Sequence, residues 1–186
     1  MLPRDFYNKD TVTVARNILG KRIVRKIKGS VMSGIITETE AYRHSDDPAS
    51  HAFGKQTDRN KVMFGEVGHA YVYFTYGMHY CFNVVARHSN IKAGAVLIRA
   101  IEPEKGIKKI QKNRGITNTK NLTNGPAKLT QALGITKEHY GVDLTQDSNL
   151  YIEDGIKIKK IYDSPRVGIK KATDKLWNFK INIEKN

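Results

Sequence analysis

The run Tyr71-Val72-Tyr73-Phe74-Thr75-Tyr76-Gly77-Met78-His79-Tyr80-Cys81-Phe82-Asn83-Val84-Val85 is broken once, at Gly77. Val, Tyr and Phe suit a pleated, half-buried surface, and a glycine between two such segments supplies a turn, so residues 70–86 read as an aromatic β-hairpin. Alternation sets Tyr71 and Tyr73 against Val72, Phe74 and Tyr76, so if one set packs into a core the other must cover a different surface. Six aromatic or histidine side chains fall between Tyr71 and Tyr80 with no charge among them, more than core packing alone explains.

The rest of the chain builds outward from this hairpin. Upstream, Asp10 caps a helix over residues 11–19 that Gly20 ends. Residues 21–28 and 31–41 read as two strands joined at Gly29-Ser30, and residues 43–62 lose all periodicity in a long irregular loop. Downstream, residues 95–101 form a short apolar strand and residues 104–114 a basic helix. Residues 115–124 form a polar connection, and Pro126 opens a helix that Gly134 closes. Short strands follow at 150–152 and 156–161. The elements do not alternate as βαβ units, and no repeat or linker intervenes. The fold class is therefore α+β: one mixed domain over residues 1–186, a curved, mainly antiparallel sheet with surrounding helices and a protruding aromatic hairpin.

The 186 residues carry 32 Lys and Arg against 18 Asp and Glu, a formal charge of +14. The excess divides evenly, seven in residues 1–100 and seven in 101–186, so the folded surface carries it rather than a basic tail. Polyanions are its natural partners, although lysine-rich solvated faces on a soluble protein fit composition equally well. The single cysteine, Cys81, excludes an internal disulfide and any multi-cysteine zinc site, in keeping with a reducing compartment. No run reaches the length of a membrane span and no signal pattern opens the chain, so the expected location is cytoplasmic, nucleoid-associated in a bacterium, with no membrane contact.

Candidate chemistry starts at Glu38, Glu40 and Tyr42, which alternation places on one face of a strand end. Two solvated carboxylates on an edge strand would look the same; a partner constellation separates the readings. Arg99 supplies a candidate, because a charge inside the apolar run 96–101 is costly to bury unless paired with a carboxylate. Such a pair is either structural or able to orient and activate one water. At the hairpin turn, Tyr76 and Met78 flank Gly77, where a bulky side chain can wedge into a duplex and hold open the space of an extruded base. His51 sits in the irregular loop, where its spacing alone is uninformative. The histidines and lone cysteine give no zinc motif, while Glu38, Glu40, Asp46 and Asp47 leave a magnesium-dependent nuclease open.

Taken together, residues 34–42, His51, residues 71–78, Asn83, Leu97-Ile98-Arg99-Ala100-Ile101-Glu102-Pro103 and Asn124-Gly125-Pro126-Ala127-Lys128-Leu129 resemble the alkyladenine (3-methyladenine) DNA glycosylase family in identity, order and spacing. The resemblance extends from Ala15-Arg16-Asn17-Ile18-Leu19-Gly20 to Ser164-Pro165-Arg166-Val167-Gly168-Ile169. It implies that Glu40 is the general base, with Arg99 helping to bind the attacking water. Tyr42, His51 and Tyr73 would line the pocket of the flipped base, Asn83 would lie at its floor against the 2-amino group of guanine, and Tyr76 would fill the vacated stack. His79 follows Met78, at a position that varies in the family. The implied enzyme excises damaged purines from double-stranded DNA as a monomer, without cofactor or metal. Its chain begins Met1-Leu2-Pro3, so loss of the methionine alone does not expose a proline amine and no lyase step is expected. A non-catalytic nucleic-acid-binding module using the same hairpin and basic surface is the alternative.

Overall fold

The computed structural model describes residues 1–183. Its frame is a curved eight-stranded sheet in which every pairing is antiparallel. The strands are β1 (Arg22–Ile27), β2 (Ser30–Arg43), β3 (Ala70–Thr75), β4 (His79–Val85), β5 (Gly94–Lys105), β6 (Leu150–Glu153), β7 (Tyr162–Ser164) and β8 (Asn178–Lys180). The sheet order is β3-β4-β5-β2-β1-β6. β1 covers residues 30–35 of the long central strand β2, while β8 pairs with Glu38 to Glu40 further along it and carries β7.

Four helices complete the fold: α1 (Arg4–Tyr7), α2 (Thr11–Asn17), α3 (Ile107–Arg114) and α4 (Pro126–Leu133). The Asp10 side chain accepts from the Val12 and Thr13 amides at 3.0 and 3.2 Å, satisfying donors that an α-helix leaves unpaired at its start. Pro126 opens α4 where no amide is needed, and Gly134 ends it in the left-handed conformation. Val14, Ile18, Ile110, Leu129 and Leu133 pack into one core with Ile36, Phe82, Val96 and Ile98 of the sheet. Each such side chain stabilises the fold by about 1.5–3 kcal/mol when fully buried. A smaller cluster of Ala52, Met63, Tyr71, Val85, Ala93 and Ala95 fills the space under the 43–62 loop.

The expected α+β class is what the chain adopts, with three local differences. β5 continues to Lys105 because residues 102–105 still pair with β2, and Gly106, at φ +71, delays α3 to Ile107. Residues 156–161 are not a strand: the Ile156 amide bonds to the Gly20 carbonyl, and the following residues run largely exposed with no strand beside them. β7 and β8, three residues each, were not foreseen, since so short a segment shows no periodicity.

Candidate active site

β2 and β5 each carry one unpartnered residue near the middle of their ladder. Register shifts leave Thr37 of β2 and Arg99 of β5 without opposite numbers, and such bulges re-aim side chains locally. Arg99 thereby reaches both acids of β2, with Nε donating to Glu38 Oε1 at 2.8 Å and Nη1 to Glu40 Oε2 at 3.5 Å. Burial opposes the charge on Arg99, but Glu40 and Glu38 outweigh it and hold the guanidinium more firmly protonated than usual. Glu38 is likewise opposed by burial, and hydrogen bonds from Asn178 and Arg99 with the charges of Arg99 and Lys180 keep its carboxyl below the ordinary range.

Glu40 has no solvent exposure. Its Oε1 accepts from the Val167 amide at 2.7 Å and from Asn178 Nδ2 at 2.9 Å, and its Oε2 accepts from the Tyr42 hydroxyl at 2.8 Å. Three of these neighbours, Tyr42, Arg99 and Val167, line a cavity of about 660 Å³. The carboxylate itself lies one layer behind that wall. So fully bonded an anion is tolerated in a dry site because every lone pair has a donor.

The ring walls of the cavity come from three segments. His51 packs edge to face on both Tyr73 and Tyr71, with His51 and Tyr73 centroids 4.6 Å apart, and the Tyr71 hydroxyl lies 2.9 Å from His51 Nδ1. Although the His51 side chain reaches solvent, its desolvation against these rings, helped by the nearby charge of Arg59, pushes its pKa down to about 4, so the imidazole is neutral at pH 7. Burial pushes the phenols of Tyr42, Tyr71 and Tyr73 well above their ordinary value, leaving them protonated donors. Asn83, almost fully buried, lines the same cavity and donates from Nδ2 to the Tyr71 carbonyl at 3.0 Å, which fixes its amide. Lys170 and Lys171 add positive charge to the lining.

At the hairpin tip, Tyr76 and Gly77 adopt consecutive left-handed conformations, φ +50 and +67, the requirement of a tight type I′ turn. An aromatic residue with positive φ is a rare, strained choice. Tyr76 is 87% exposed and Met78 67% exposed, so neither packs on the protein.

The model of the methylpurine-DNA glycosylase family matches residues 5–185. The chain belongs to this family. A protein of Carboxydothermus hydrogenoformans named "Putative 3-methyladenine DNA glycosylase" is 48% identical over all of this chain and 97% of its own length. Proteins of the same name from Clostridium perfringens and Chlorobaculum tepidum are 44% and 47% identical, covering 99% and 95% of this chain and 97% and 85% of theirs. Family membership makes the chain a DNA glycosylase of base excision repair, with DNA as its substrate. Among the described residues no helix is long and apolar enough to cross a membrane.

In this glycosylase fold, Glu40, Arg99, Tyr42, His51, Tyr73 and Asn83 converge around one cavity, with Tyr76 on its rim and Met78 just beyond the turn. The acids considered for magnesium do not converge: Glu38 and Glu40 hold Arg99, Asp46 pairs with Arg43, and Asp47 is locked to Arg166. Sequence reading missed the Val167 amide, Asn178, and the Asp47–Arg166 pair. That pair has no exposure on either side chain, is bidentate at 2.6 and 2.7 Å, and stacks its guanidinium 4.6 Å from the Tyr42 centroid and 5.2 Å from Trp177. Arg166 also donates to the Ala41 carbonyl at 2.8 Å, which ties the residue before Val167 to the residue after Glu40. The lone tryptophan, beside a cluster of cations, was the available signal.

Proposed function

We propose that this chain, as one catalytic domain over residues 1–186, turns an alkylated or otherwise damaged purine out of duplex DNA into the 660 Å³ cavity. There it hydrolyses the N-glycosidic bond and leaves an abasic site. The observation that carries this reading is the unexposed Glu40 carboxylate, hydrogen-bonded to cavity-lining groups on both oxygens. Alkylation at N3 or N7 makes the purine cationic, so the base departs as a neutral molecule with the electron pair of the C1′–N bond. The sugar left behind gains oxocarbenium character, which the negative charge of Glu40 stabilises in a low-dielectric site. Water then adds to C1′ and gives its proton to Glu40. Among the neighbours of Glu40, Arg99 is the loosest at 3.5 Å, and a water entering from the cavity displaces that contact while the bonds of 2.7–2.9 Å hold the carboxylate still.

Tyr42, His51 and Tyr73 form the slot for the base, and a neutral His51 avoids repelling a cationic one. Asn83, its amide fixed by Tyr71, opposes the 2-amino group of an undamaged guanine. Tyr76 fills the gap left in the base stack, which recovers part of the few kcal/mol that extrusion costs. The enzyme works as a monomer in the cytoplasm, at the nucleoid in a bacterial cell, and has no lyase step.

The test incubates the protein in EDTA with duplexes containing a single ethenoadenine or hypoxanthine, or with methylated DNA, and follows free base by chromatography. Released base with uncut strands, and no adduct trapped by borohydride, is the expected result. Equal affinity for damaged and intact duplex with no release would leave only a binding module, and strand cutting abolished by EDTA would make the chain a nuclease.

A further inference from the structure

Both aromatic walls of the cavity carry a guanidinium over the ring, and the two guanidinia differ. Arg166 lies 4.6 Å from the centroid of Tyr42, and its charge is cancelled by the buried, bidentate Asp47. Arg59 lies 5.1 Å from the centroid of Tyr73. It belongs to an exposed stretch and donates from Nη2 to the Phe74 carbonyl at 3.4 Å. Among the described residues it has no carboxylate within 4.0 Å. Tyr73 is shared between the base cavity and the surface groove that holds Arg59, where Asp58 and Glu138 also lie but Asp58 pairs with Lys61, so the ring stands between a guanidinium without a direct ion pair and whatever occupies the cavity.

Resting on the proposed function, we infer that Arg59 is a specificity-determining residue that sets, from behind Tyr73, how strongly the cavity prefers positively charged purines over neutral ones. The negative face of an aromatic ring attracts a cation. When a guanidinium already occupies one face, the field reaching a second cation on the opposite face is weakened, and the two cations repel through the ring. A neutral purine stacks on the same ring without that penalty. At a separation of roughly 8–9 Å, a water-like dielectric and the effective value near a protein surface bracket the repulsion at about two- to thirtyfold, and the exposure of Arg59 sets it at about three- to tenfold. The depressed pKa of His51 is the same influence registered on a second group, since the charge of Arg59 contributes to it after burial. The two walls therefore have different work: Tyr42, backed by a neutral ion pair, receives either kind of base, and Tyr73 discriminates.

The experiment compares wild type with Arg59→Met, which keeps length but removes charge, and Arg59→Lys, which keeps charge. Single-turnover release of 7-methylguanine is expected to rise three- to tenfold in Arg59→Met and to stay at the wild-type rate in Arg59→Lys. Affinity for an ethenoadenine duplex, followed by the fluorescence of the etheno ring, should stay within twofold in both. Unchanged or slower release of 7-methylguanine by a folded Arg59→Met overturns the inference. So does a parallel loss of affinity for damaged and intact duplex with a salt slope reduced by about one, which identifies a phosphate contact instead. Failure of the wild type to release either lesion defeats the proposed function itself, a result distinct from both.

Discussion

The floor of the cavity and the tip of the hairpin are built on opposite terms. At and behind the floor, Arg99 and Asn178 hold Glu40 while Arg166 holds Asp47, all through charge-assisted bonds, and Glu40, Asp47 and Asn178 are fully buried. At the tip, Tyr76 and Met78 touch almost nothing, and Tyr76 is held in a backbone conformation it disfavours. Chemistry at a sugar carbon needs dipoles that are already in place when charge develops, which rewards the first arrangement. A duplex has to be met from outside, and the second arrangement leaves aromatic surface for it to cover.

Substitutions at each end test that contrast. Glu40→Gln keeps the volume and removes the charge, and single-turnover base release should fall by roughly 10³-fold while lesion duplex is still bound; release within tenfold of wild type would show that the floor is structural only. Asp47→Asn leaves a buried guanidinium unpaired and should lower unfolding stability in urea by about 3–5 kcal/mol. Its combination with Arg166→Met should recover part of that loss, as expected if the pair rather than either residue matters. Tyr76→Ala reverses the pattern. Lesion affinity should weaken by about tenfold, in line with stacking energies of ~1–3 kcal/mol, with no fall in melting temperature because nothing packs on the ring. The smallest effect concerns His51. Its folded pKa of about 4 lies below the unfolded 6.5, so between those values the unfolded chain binds more protons and stability falls as the medium is acidified. The slope of stability against pH between 6.5 and 4 should be shallower in His51→Asn.

The hairpin and Arg99 were legible because each breaks a local rule: aromatics too dense for a core, and a charge in an apolar run. The direction of Glu40 toward Arg99 followed from alternation and the need to pair that charge. Val167 was not legible, because it acts through a backbone amide that every residue except proline possesses. Asn178 sits in a strand of three residues, where no period can be read. Arg59 looked like one more surface cation; the significance proposed for it rests on there being no carboxylate within 4.0 Å among the described residues, a property of the folded surface that spacing does not encode. Residues 156–161 misled for the opposite reason, since alternating isoleucine and lysine satisfies the strand pattern while no strand lies alongside.

The buried carboxylate also imposes an order on biosynthesis. Asn178 follows Glu40 by 138 positions, so the acid leaves the ribosome long before the groups that will fix its geometry exist. Until then the proposed hydrolytic centre lacks the bonds that hold it, although both strands of the hairpin have already been synthesised. On the proposed reading, competence for the reaction therefore waits until Asn178 has been made, and a message cut short before that position yields a protein without it.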